Sequence, residues 1–175
     1  PYARLFVDAP FPVETKRNDA VAFGRSWYQY DGDQPRFLKA LAFAENFLQD
    51  AIAAAAANGP IDRSRLALFG YSQGGYLASV AALRDRVRYR ALVAVACRVK
   101  VEALDDALKD AAGYPALLVH GRRDEHTPPE RQEEAFEKLC ARGVAAELLM
   151  HDGGHGIKRA TLPAIDAFVR KAIVP

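Results

Sequence analysis

The stretch Leu66-Ala67-Leu68-Phe69-Gly70-Tyr71-Ser72-Gln73-Gly74-Gly75-Tyr76-Leu77-Ala78-Ser79-Val80 decides the fold. An apolar run of strand length leads into Gly70-Tyr71-Ser72-Gln73-Gly74, and a helical pattern leads out. A G-x-S-x-G sequence in that setting reads as an elbow that presents one serine at a sharp strand-to-helix turn. Side chains two positions to either side of Ser72 would collide across the turn, so Gly70 and Gly74 belong to it. The helix that follows points its positive N-terminal end at the serine.

Outward from the elbow, strand and helix alternate. Apolar runs of strand length fall at residues 3–7, 66–71, 91–96, 116–120 and 145–150. Their near-continuous apolar character predicts strands covered on both faces, as in a parallel sheet. Helical spacing runs through Phe37, Leu38, Leu41, Ala44, Phe47, Leu48, Ala51 and Ile52 and stops at Asn58-Gly59. Further helices are expected after Gly74 to about residue 83, weakly over about 101–111, after Pro128-Pro129 to Gly143, and over about 157–173. This order predicts an α/β fold: a mostly parallel sheet flanked by helices, with right-handed crossovers, in one domain over residues 1–175.

In such sheets the functional groups stand beyond the carboxyl ends of the strands. A serine hydroxyl at neutral pH is a weak nucleophile and needs a base. Met150-His151-Asp152-Gly153-Gly154-His155-Gly156 follows the last expected strand, and its glycines let the loop bring His155 over the strand ends. His151 sits at the strand end and reads as a packed or hydrogen-bonded side chain, His120 lies at the end of a strand, and His126 follows the candidate acid by two. Asp124, in His120-Gly121-Arg122-Arg123-Asp124-Glu125-His126-Thr127-Pro128, can reach Nδ1 of His155 and hold its tautomer. Glu125 is the neighbouring alternative; Asp152 lies too close along the chain to His155. The chain order Ser72, Asp124, His155 is the one the α/β-hydrolase arrangement requires. The N–H of Gln73 is the expected oxyanion donor.

The remaining composition narrows the field. Lys and Arg total 24 against 22 Asp and Glu, a net charge of +2, mixed along the chain. That balance gives no reason to expect nucleic acid or an anionic membrane as partner. Arg84, Arg86, Arg88 and Arg90 read as a solvated helix end. Two cysteines, Cys97 and Cys140, read as free thiols. No apolar run reaches the ~20 residues of a membrane span. No His/Cys/Asp cluster has ligand spacing, so neither metal nor cofactor is expected. No signal peptide is visible, which points to the cytoplasm for a sequence that begins at Pro1.

With these residues in view, the chain resembles the phospholipase/carboxylesterase group of α/β hydrolases, which includes the acyl-protein thioesterases. The resemblance rests on Asp8-Ala9-Pro10 with Pro12-Val13, Ser26-Trp27-Tyr28, the Gly70–Gly75 elbow, Gly121…Asp124…Thr127-Pro128, and Gly154-His155. It implies a serine hydrolase acting on a small-molecule ester through Ser72, His155 and Asp124, or a thioesterase on acylated proteins or small thioesters. It places Trp27 and Tyr28 near an acyl or alcohol pocket, although both also read as ordinary core aromatics. A third reading, a non-catalytic binding protein on a hydrolase remnant, comes from a departure: nothing here matches the family's early strands and His-Gly turn. The expected fold is therefore an α/β hydrolase apparently lacking the N-terminal strands. Either the sequence is incomplete, or the strand at 3–7 pairs directly beside the elbow strand. An exposed sheet edge of that kind makes a homodimer plausible.

Overall fold

A computed structural model describes residues 2–17 and 20–174. The chain forms two compact units, Ala3–Ile61 and a second made of Tyr2 with residues from Asp62 onward.

The first unit holds an antiparallel hairpin, β1 (Phe11–Arg17) and β2 (Ala20–Ser26), and a long helix, α1 (Gln34–Asn58). The Asp33 side chain caps α1 by accepting from the N–H of Arg36 at 2.8 Å, and Pro35 occupies its first turn. Phe37, Leu41, Ala44, Leu48 and Ile52 form its buried stripe, at the three- and four-residue spacing of one helical face.

The second unit carries the four-stranded parallel sheet β3-β4-β5-β6: Leu66–Tyr71, Tyr89–Val95, Pro115–Gly121 and Ala145–His151. Helices α2 (Gln73–Arg84), α3 (Pro129–Ala141) and α4 (Leu162–Ile173) alternate with them. Ala91, Val93, Val95, Leu117 and Val119 pack on Ile165, Phe168 and Val169 of α4. The intervening Leu92, Ala94 and Leu118 are fully buried too, so the central strands are covered on both faces. That is why they read as continuous apolar runs.

Three expectations change. Residues 3–7 form no strand, and no strand among the described residues pairs with the outer edge of β3. An apolar run becomes a strand only where a neighbouring edge supplies its ladder, and here the strand pairing of the first unit lies in β1 and β2 instead. Over 101–111 a single 3₁₀ turn, Val101–Ala103, gives way to successive turns. Asp105, Asp106 and Asp110 interrupt this stretch, and Asp side chains compete with helical backbone bonds. The last helix begins at Leu162, because Pro163 lacks an N–H and fits only a first turn. The segment before it is a 3₁₀ turn, Arg159–Thr161.

Candidate active site

Ser72 stands between β3 and α2 with φ 52° and ψ −120°, a left-handed φ that a non-glycine residue adopts only under constraint. The constraint comes from both sides. The Ser72 N–H donates to the Val95 carbonyl at 2.8 Å, which extends the β3–β4 ladder one residue past the strand. Beyond it, the Ser72 carbonyl accepts from the N–H groups of Gly75 and Tyr76 and starts α2. The turn is so tight that a Cβ on Gly70 would lie 2.5 Å from the Gly74 carbonyl carbon. Gly75 is equally enclosed, since a Cβ there would lie 2.6 Å from Cys97 Sγ. Gln73 opens α2, so its N–H belongs to the positive end of the helix.

The loops after β5 and β6 are laced together by backbone bonds. The N–H groups of Arg122 and Arg123 donate to the carbonyls of His151 and Gly153, each at 2.8 Å. Gly121 makes the approach possible: a Cβ there would lie 2.5 Å from the Gly153 carbonyl oxygen. The pairing sets Asp124 beside His155.

His155 Nε2 lies 2.9 Å from Ser72 Oγ, and its Nδ1 lies 2.9 and 3.1 Å from the two carboxylate oxygens of Asp124. Asp124 is buried, and its Oδ1 also accepts from the N–H groups of His126 and Thr127 at 2.9 Å. Burial pushes its pKa up. The Thr127 N–H, the His155 ring and the His126 N–H together outweigh burial and hold it below the ordinary 3.8. An ionised carboxylate only accepts, so His155 carries its proton on Nδ1 and presents the Nε2 lone pair to the serine hydroxyl. This arrangement can draw a proton from Ser72 and stabilise the imidazolium that results.

Three further side chains reach the site without having been assigned to it from the sequence. The Tyr71 hydroxyl donates to the His155 carbonyl at 3.1 Å, and its ring lies 5.3 Å from the imidazole. The exposed His126 ring meets His155 edge to face at 4.8 Å. His120 is buried with Nε2 2.9 Å from the Thr127 carbonyl and 3.2 Å from Asp124 Oδ2. The one sequence signal for His120 is its place at the end of β5, four residues ahead of Asp124. His151 accepts at Nδ1 from the Gly153 N–H at 3.1 Å and so steadies the loop that carries His155. Glu125 is exposed and Asp152 points outward, its carboxylate 3.8 Å from Arg122.

Trp27 and Tyr28 belong to the first unit. Trp27 meets Phe47 edge to face at 6.3 Å, and the buried Tyr28 does the same with Phe37 at 5.2 Å. Among the described residues no group of three or more His, Cys, Asp or Glu could hold a metal ion, and no helix is long and apolar enough to cross a membrane.

Comparison with known proteins adds the family. The model of the phospholipase/carboxylesterase family matches residues 11–173. A putative hydrolase of Bacillus subtilis (strain 168), MhqD, is 26% identical over 166 residues, 89% of this chain and 82% of that protein. The crystal structure of esterase PE8 is 28% identical with a TM-score of 0.69, covering 85% of this chain and 71% of that one. SOBER1 of Arabidopsis thaliana shares the fold at 23% identity and a TM-score of 0.69, over 96% of this chain and 82% of its own. A parallel sheet carrying a glycine-bound serine elbow, matched along nearly its whole length, makes this α/β-hydrolase-fold chain a member of the phospholipase/carboxylesterase family of hydrolases.

Proposed function

We propose that the protein is a serine hydrolase that cleaves carboxylic esters of short to medium acyl chain through an acyl-enzyme. Ser72 Oγ attacks the ester carbonyl while His155 Nε2 takes its proton. The N–H of Gln73, at the positive end of α2, stabilises the oxyanion of the tetrahedral intermediate. His155 then returns the proton to the departing alcohol, and Asp124 holds the imidazolium throughout. Water deprotonated by His155 attacks the acyl-enzyme, releases the acid and restores Ser72.

The observation that carries this reading is the unbroken hydrogen-bonded chain from Ser72 Oγ through His155 to Asp124. It also argues against a non-catalytic scaffold, because nothing in folding requires a serine at positive φ within reach of an imidazole. A fluorophosphonate probe should label the protein at Ser72 and fail to label Ser72→Ala. Labelling that persists in Ser72→Ala would sink the proposal. Acyl length is tested by a series of alkyl esters, where rates rising toward long-chain triglycerides would count against short to medium substrates. The same three groups serve sulfur esters, so matched oxygen and sulfur esters assayed in parallel decide between ester and thioester.

A further inference from the structure

We infer that His120 is a positioning residue for this site, fixing the Asp124 carboxylate in the orientation that faces His155. The inference rests on the reading of Asp124 as the group that orients the base.

His120 is the penultimate residue of β5, with its side chain fully buried. Its Nε2 faces two acceptors, the Thr127 carbonyl at 2.9 Å and Asp124 Oδ2 at 3.2 Å. Neither can donate, so Nε2 carries the ring proton, gives it to the Thr127 carbonyl and sets its positive end against Oδ2. Nδ1 is then a lone pair, buried, with no hydrogen-bond partner among the described residues. A leucine or methionine would fill the same volume without an orphaned nitrogen. What only the imidazole brings is the N–H on its far side.

That N–H closes a loop of bonds. The Thr127 N–H donates to Asp124 Oδ1, while the Thr127 carbonyl accepts from His120. The turn from Asp124 to Thr127 is thereby clamped from the strand beneath it, and the carboxylate plane is fixed with it. His155 Nδ1 meets both oxygens of that carboxylate, at 2.9 Å from the same Oδ2 and 3.1 Å from Oδ1, so rotation of Asp124 would misdirect the base. Beyond orientation, the His120 N–H takes a share of the Asp124 charge on Oδ2, beside the His126 and Thr127 N–H groups on Oδ1.

The test compares His120→Gln, His120→Asn and His120→Met, each checked for folding by thermal melting. A glutamine amide can reach the Nε2 position; an asparagine amide reaches only that of Nδ1. His120→Gln should keep kcat within about threefold, while His120→Asn and His120→Met lose about tenfold to a hundredfold in kcat with KM little changed. In His120→Met the acid limb of kcat/KM should move to higher pH, because a carboxylate with one donor fewer favours the imidazolium more strongly. Folded Asn and Gln variants with equal kcat and the wild-type pH profile would overturn the inference, and that pair decides even where the methionine variant fails to fold. A wild-type protein that neither hydrolyses esters nor reacts with a fluorophosphonate overturns both readings. An active wild type with an indifferent His120 series overturns this one alone.

Discussion

The hydroxyl of Tyr71, the residue next to Ser72, donates to the main-chain carbonyl of His155 at 3.1 Å, tying the elbow directly to the loop that carries the imidazole. Burial and the charge of Asp124 both raise the Tyr71 pKa, so the group remains a phenol and a donor at neutral pH. Tyr71→Phe keeps the ring beside His155 and removes only the bond. A hydrogen bond of this kind contributes about 1 kcal/mol, so kcat should fall about fivefold with KM near the wild-type value. Steady-state kinetics on one ester decide it; a phenylalanine variant at full kcat would show that the backbone bonds between the β5 and β6 loops hold His155 unaided.

Asp124→Asn separates charge and tautomer from shape. An asparagine amide donates to Nδ1 and leaves the Nε2 proton pointing at Ser72, where a lone pair is needed. Loss of up to about 10⁴ in kcat is expected, the size of effect that a wrong tautomer produces in a serine triad. The same variant reports on stability. The folded pKa of Asp124 lies below its ordinary 3.8, so the unfolded chain binds the proton more readily. The stabilisation is therefore complete above about pH 4 and is lost as pH falls through the lower folded value. Urea unfolding of wild type and variant should show a stability gap that is constant from neutral pH to about 4 and narrows below it. A gap that widens on acidification would contradict the sign.

How legible these features were in the sequence depended on how local their causes are. Strands β4 and β5 were readable because both of their faces are buried, which writes an apolar run into the sequence. The hairpin was not readable. Val21 and Phe23 of β2 are 54% and 80% exposed, so hydrophobicity there does not mark an inner face. Residues 3–7 carry the composition of a strand, but strand formation depends on a partner edge that composition cannot supply. The same contrast holds within the site. Ser72, Asp124 and His155 announce themselves through glycine spacing and chain order. Tyr71 and His120 act through bonds to main-chain carbonyls of His155 and Thr127, which impose no motif on either end.

The two thiols should behave differently. Cys97 is buried behind the elbow, and burial pushes its pKa up to about 12 despite a hydrogen bond with Gln132. Cys140 is exposed on α3. Since the thiolate is the reacting form, a maleimide or iodoacetamide should modify Cys140 alone in the native protein and both thiols in denaturant. Mass spectrometry of the modified peptides checks this. Native-state labelling of Cys97 at the rate of Cys140 would mean that α2 opens away from β4.

Gly75 and Cys97 should be energetically coupled. A Cβ at position 75 would lie 2.6 Å from Cys97 Sγ and 3.0 Å from both Cys97 Cβ and the Gly70 carbonyl oxygen. Gly75→Ala therefore overpacks the seam between α2 and the end of β4, at a cost of about 1–3 kcal/mol. It also pushes on the first turn of the helix that positions Ser72. Cys97→Ala alone removes the sulfur and leaves a small void. In the double variant the new methyl occupies the space the sulfur left, so the stability loss should fall short of the sum of the single losses by about 0.5 kcal/mol or more. Contact with the Gly70 carbonyl remains, so rescue should be partial. Chemical denaturation of the four proteins gives the coupling directly, and strict additivity would mean that the alanine at 75 is accommodated by a shift of the whole helix rather than by local contact with Cys97.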